Sequence, residues 1–246
     1  IRDLPAFLTG SLNELRIYNH VLSPVDVLTN LISGPDVTSV TFTNKTWNVA
    51  AGNWNADGSW SAPGVPNTTH RATISNNGVA TVSGSVPQVG ALTITNGTLS
   101  VGAGGSLDVK YPIEMNTGAS NSATINVTDG GILAIGGILP EVSTGTKTIN
   151  IDGGVIRPGF KSALVLAGAT TNIGAGGATF DTPGSDSITW RSSLAGSGNL
   201  TKTGTGTLIV RPPAEDLGLA DQNPNFSGEV FINGGTVDIQ RQHGVF

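Results

Sequence analysis

The 246-residue sequence predicts an all-β protein: a right-handed parallel β-helix (β-solenoid) preceded by a short N-terminal strand plus helix and a capping segment. Three observations carry that prediction. The first is composition. Hydrophobic residues make up 37% and charged residues only 12%, while Gly (35) and Pro (13) supply about a fifth of the chain. Charge at about half the usual level of roughly 25% would suggest disorder only if β-formers were scarce. Val, Ile, Leu and Thr instead recur throughout. The second observation is a set of short alternating phrases, each closed by Asn-Gly, Asp-Gly or Gly-Gly. The third is spacing: Gly131, Gly154 and Gly177 fall 23 residues apart. That suits one turn of a β-helix better than a propeller blade of roughly 40–50 residues.

In chain order, residues 1–33 hold most of the helix-like pattern. "SLNELRIYNHVL" (11–22) alternates as a strand. In "SPVDVLTNLI", Ser23 reads as an N-cap and Pro24 as the first helical residue. Val25, Leu28, Leu31 and Ile32 then follow at helical spacing. Residues 34–71 form a Trp/Gly/Pro-rich cap or linker containing Trp47, Trp54 and Trp60, three of the four tryptophans. Two roles fit that cluster. Trp54 and Trp60, with Trp190, could serve as sugar-stacking platforms, or the cluster could plug the open end of an elongated core. The plug is the preferred reading.

Residues 72–246 carry the repeats. "ALTITNGTLSV", "ATINVTDGGILAI", "KTINIDGGVIRPG", "TTNIGAGGATFD" and "GEVFINGGTVDI" align with one another. Pairs such as Ile125/Val127, Ile149/Ile151 and Val230/Ile232 place apolar side chains on one face of a strand. The glycine that follows lets the chain turn a sharp corner. One turn cannot bury its inner face alone, but stacked turns form a continuous core. Thr and Asn at matching positions are expected to stack in ladders. Hairpins with Asn-Gly turns are the competing arrangement, and the 23-residue step favours the solenoid.

Two stretches resemble known families. "GSLNELRIYNHVLSPVDVLTNLIS" resembles the closing strand and helix of the laminin-G-like (concanavalin A-like) jelly roll, with Asn13 where that family usually has an acid. The remainder of such a domain has no counterpart here, so its ligand sites do not carry over. "GSGNLTKTGTGTLIV" followed by "NFSGEVFINGGTVDI" resembles the autotransporter-associated β-strand repeat of bacterial surface proteins. Gly196, Gly198, Leu200, Lys202, Gly204, Gly206 and Leu208 match its first half. Phe226, Ser227, Gly228, Ile232, Asn233, Gly235 and Val237 match its second. Within it, Leu200, Leu208 and Val210 are candidates for the inner face and the threonines for the outer. The intervening 211–225 is longer than that family's loop and is expected to protrude. The resemblance implies a passenger-type β-helix and says little about activity.

The chemistry-bearing residues are sparse. There is no cysteine, which removes disulfides and thiolate chemistry. His20, His70 and His243 show no metal-ligand spacing, so no metal and no cofactor are expected. With 12 Lys and Arg against 17 Asp and Glu, no basic stripe offers itself to nucleic acid. No apolar run approaches the roughly 18–20 residues of a membrane span. The best case for an enzyme is polysaccharide cleavage by grouped carboxylates. Asp129 and Asp152 would stack at equivalent positions, with Arg157, Lys161 and Glu141 nearby. Turn chemistry explains both aspartates more simply, since Asp commonly precedes Gly in turns.

No catalytic residue is therefore assigned. The expectation is a non-catalytic extracellular or cell-surface solenoid acting as stalk, adhesin or self-assembling scaffold, and a piece of something longer. The alternative is a carbohydrate-binding or polysaccharide-cleaving module of a secreted bacterial protein. Expected partners are other copies, through the N-terminal strand or the solenoid ends, and surface glycans.

Overall fold

A computed structural model describes residues 17–19, 21–22, 24–34, 40–61, 63–115, 118–140, 144–160, 162–166, 168–211 and 225–240. Short strands, each ended by a corner, pair in parallel with the strand one turn away and build three faces. The nine-strand face runs β1 (Thr43–Thr46), β3 (His70–Ile74), β5 (Ala91–Ile94), β8 (Ile113–Met115), β11 (Gly137–Pro140), β14 (Ser162–Val165), β17 (Ser187–Trp190), β20 (Thr207–Val210) and β22 (Thr236–Ile239). The seven-strand face runs β2 (Ala51–Asn53), β4 (Gly78–Val82), β6 (Gly97–Val101), β9 (Ser122–Thr128), β12 (Thr146–Asp152), β15 (Thr170–Ile173) and β18 (Ser193–Gly196). The six-strand face runs β7 (Ser106–Val109), β10 (Ile132–Ile135), β13 (Gly154–Pro158), β16 (Ala178–Asp181), β19 (Leu200–Thr203) and β21 (Val230–Ile232). This is the all-β parallel solenoid that the repeats imply.

Alternation sets the burial. Ile125 and Val127 of β9, and Ile149 and Ile151 of β12, are fully buried, whereas Asn126 and Asn150 between them are only half-buried. Register converts each inward residue into a column: Leu99, Ile125, Ile149, Thr171 and Leu194 stack in successive turns. Leu200, Leu208 and Val210 are buried as expected.

Turn length is not constant. Steps along that column are 26, 24, 22 and 23 residues. Gly131 and Gly154 do occupy equivalent places, because Ile132 pairs with Val155. Gly177 does not, because Gly154 pairs with Ala178. The strands hold register while the corners, which face solvent, absorb insertions.

The two ends differ. The strand stack begins at β1, within the segment read as a cap, and the tryptophans described below close that end. At the other end Val230 and Ile232 continue the inward columns after Leu200 and Lys202. They remain 45% and 56% exposed, because no described strand pairs beyond β21. Their expected apolar face exists but lacks a covering turn among the described residues.

Helix α1 (Pro24–Ser33) starts at the proline, as its pattern implies. Leu28 and Ile32 are buried against Ala91, Tyr111 and Leu139 on the outside of the nine-strand face. Leu31 is 69% exposed, contrary to its place in the expected apolar set. A helix lying on a sheet buries a narrow seam, and residues four apart define it. The seat for that seam is Gly136-Gly137. A Cβ on Gly137 would come within 2.6 Å of Leu28 Cδ2, and one on Gly136 within 3.0 Å of Ile32 Cδ1. The expected strand over 11–22 lies largely outside the described residues, as do Ser23 and most of the 211–225 insert. Residues 17–19 and 21–22 are described and are not in a strand.

Candidate functional site

Trp47, Trp54 and Trp60 are all buried. Trp47 and Trp60 pair through an antiparallel bridge. Their rings meet edge to face, with centroids 5.0 Å apart, and Trp54 meets Trp60 likewise at 4.7 Å. Trp60 Nε1 donates to Trp54 O at 2.9 Å. Trp190 lies in the interior, edge-on to Phe180 at 5.0 Å. Sugar stacking needs an open ring face, so Trp54, Trp60 and Trp190 do not form the platforms considered from the sequence. Their indoles fill the core and its end instead.

The two aspartates are also not a stacked pair. Asp152 pairs with Thr128, which leaves Asp129 beside Gly153, one residue out of step. Asp129 takes φ 52, a left-handed corner conformation that Asp tolerates better than most residues. Asp152 Oδ1 accepts a hydrogen bond from Gly176 N at 2.6 Å and so holds the next corner. Both do turn work.

A charged column does exist, on the outside of the six-strand face. Asp108, Ala134 and Arg157 are in register on β7, β10 and β13. Arg157 Nε donates to Asp181 Oδ2 at 2.7 Å, and Thr203 Oγ1 donates to Asp181 Oδ1 at 2.9 Å. Asp181 was missed because its link to Arg157 depends on a 24-residue turn that only the register reveals. Lys161 and Glu141 lie outside the described residues. Gln88 Nε2 donates to Asp108 Oδ2 at 2.6 Å, while Asp108 Oδ1 is buried without a partner. Burial pushes the Asp108 carboxyl above its ordinary range, and the Gln88 bond partly opposes this. Three strand spacings separate Asp108 from Asp181, roughly 14 Å along the axis. Paired glycosidase carboxyls sit roughly 5–10 Å apart. The two acids do not meet that requirement.

The seven-strand face spends its polar groups on itself. Asn172 Nδ2 donates to Asn150 Oδ1 at 3.0 Å, Asn150 Nδ2 to Asn126 Oδ1 at 2.8 Å, and Asn126 Nδ2 to Ser100 Oγ at 3.2 Å. Thr98, Thr124, Thr148 and Thr170 form the adjoining row. These are the ladders foreseen from the repeats. On the nine-strand face Arg71 pairs with Glu114, and its guanidinium lies 5.6 Å from the Phe42 ring centroid.

His70 Nδ1 accepts from Asn67 N at 3.1 Å. Its pKa is lowered, first by burial and then by the Lys45 charge. His20 and His243 lie outside the described residues. Among the described residues, no three His, Asp or Glu side chains converge as metal ligands would. Nor is any helix among them long and apolar enough to cross a membrane.

Comparison with protein-family models, with curated proteins and with solved structures finds no match.

Proposed function

We propose that the chain is a non-catalytic β-solenoid of the cell surface or extracellular space, serving as stalk, adhesin or self-assembling scaffold. The observation that carries this reading is how the polar side chains are used. Asn126, Asn150 and Asn172 bond from turn to turn, Asp152 holds a corner, and Asp181 is engaged by Arg157 and Thr203. Such bonds stiffen a rod along its axis and leave few groups aimed at a common point. The likeness of residues 196–239 to the autotransporter-associated repeat, and of residues 10–33 to the laminin-G-like closing segment, supports a bacterial surface origin and belongs to the same proposal.

Among the described residues no strand pairs beyond β21 or β22, and this favours self-association. Strand β21 and β22 each end a face, and Val230, Phe231, Ile232 and Ile239 are exposed there. Exposed strand edges recruit further strands.

Negative-stain microscopy combined with a polysaccharide-cleavage screen tests the reading. Rods with no release of reducing or unsaturated ends are expected. Cleavage that disappears in Asp181→Asn would overturn it in favour of a polysaccharide-cleaving module.

A further inference from the structure

We propose that Arg191 and Arg211 form an oxyanion site that takes a carboxylate or sulfate group carried by an acidic glycan. Trp190 and Val210 pair and are buried, so the residue after each points outward at the corner following the nine-strand face. Arg191 N donates to Val165 O at 2.8 Å, and Arg211 N donates to Trp190 O at 2.8 Å. The two arginines therefore occupy one column in successive turns, with backbones roughly 4.8 Å apart. Like charges directly opposite on neighbouring strands are destabilising.

The other described arginines are each paired with an acid, Arg71 with Glu114 and Arg157 with Asp181. Among the described residues Arg191 and Arg211 have no such partner, although the chain has 17 acids against 12 bases. Arg191 Nε is buried and makes no hydrogen bond, an expensive condition for a charged group's donor. Leu166 precedes the pair in the column, since Val165 pairs with Trp190. Gln240 follows it, its N donating to Val210 O at 3.0 Å. Asp238, in register with Ile209, already accepts from Gln240 Nε2 at 2.7 Å.

One oxyanion held by the solvent-side nitrogens of the two guanidinium groups offsets the repulsion between them. Planar guanidinium forks match the geometry of such groups. The choice of a glycan as carrier rests on the surface-protein reading above, and free sulfate tests the site without it.

The experiment is calorimetry on the full chain at low and physiological salt. The probes are sodium sulfate, polygalacturonate, dextran sulfate and uncharged dextran. Sulfate and at least one acidic polymer are expected to bind, and dextran is not. Arg211→Gln is expected to weaken binding roughly tenfold or more, with Lys110→Gln unchanged. Arg211→Lys keeps charge but not the fork, and weaker binding there also supports the site. Thermal melts of each variant separate lost binding from lost fold. Preference for polygalacturonate assigns a uronate carrier, and preference for dextran sulfate a sulfate ester. Binding of sulfate alone overturns the glycan carrier. Equal binding by the Arg211→Gln variant, or no binding of any anionic probe, overturns the site itself.

Discussion

Lys202 follows Phe180 in an inward column of the six-strand face, so a lysine stands where an apolar residue is the rule. Its Nζ donates to Thr203 O at 2.5 Å, Gly204 O at 2.9 Å and Gly234 O at 3.2 Å. These carbonyls turn the corners of the last two turns, and the ammonium ties them together. Burial draws the pKa of Lys202 below its ordinary 10.5, with Asp181 partly opposing. The unfolded chain therefore holds more protons than the folded one in the interval below 10.5. Stability contributed by Lys202 rises with pH across that interval. The melting temperature of the parent protein, relative to Lys202→Met, should increase between neutral pH and about 10.5. Parallel melting curves would refute this.

Trp60→Ala removes the ring that both Trp47 and Trp54 meet edge to face, together with the bond to Trp54 O. Truncations of this size in a core cost about 3–5 kcal/mol. Urea denaturation should show that loss. Native-state exchange should place the first opening in β1 and β2, because the columns farther along keep their neighbours. Loss spread evenly over all turns would show that the tryptophans are not a terminal plug.

The fold was legible where chemistry repeats along the chain. Ile125/Val127 and Ile149/Ile151 declare a period of two, and Asn126 and Asn150 beside them declare the ladder. Features that depend on register were not legible. Asp129 and Asp152 look equivalent beside their glycines, yet the strands pair one residue out of step. Corners absorb single residues with no mark in the pattern, so Asp181 could not be matched to Arg157 from spacing. Gly136-Gly137 carries no mark of its role in the repeat pattern, and only the packed helix shows that it seats Leu28 and Ile32. Clustered tryptophans favour a plug but leave a platform open, because exposure is a tertiary property.

Asn150 sits mid-ladder, giving one hydrogen bond and receiving another. Asn150→Leu breaks both and leaves Asn126 Oδ1 and Asn172 Nδ2 unpaired. The groups are half-buried, so water restores part of the loss. A destabilisation of about 1–2 kcal/mol is expected from denaturant titration. A stability gain would mean that leucine packing on this face outweighs the ladder.

Asp108 carries the opposite pH signature to Lys202. Its folded pKa is raised above 3.8, chiefly by burial, so the folded chain holds more protons than the unfolded one just above 3.8. Stability contributed by this group falls as pH rises through that interval. Asp108→Asn keeps an acceptor for Gln88 and removes the buried charge. The variant should match the parent protein below 3.8 and exceed it at neutral pH. A variant less stable at neutral pH would show that the carboxylate is held by contacts worth more than its desolvation.

Gly198 separates steric from conformational need for glycine. Its φ is not in the left-handed region, so no positive φ calls for glycine there. A Cβ would nevertheless stand 1.6 Å from Gly174 O and 2.7 Å from Gly174 C, in the turn before. One turn later, a Cβ on Gly228 would stand 1.9 Å from Gly198 O, so the same corner is tight at two successive levels. Gly184 is the converse case, with φ 58 and nothing within 4 Å of its Cβ position. Gly184→Ala should cost about 1–2 kcal/mol, the price of left-handed backbone. Gly198→Ala must push two turns apart and break the ladder on either side, so its cost should exceed about 3 kcal/mol. Urea titrations of the two variants decide the matter, and the reverse order would mean that the corner opens without strain.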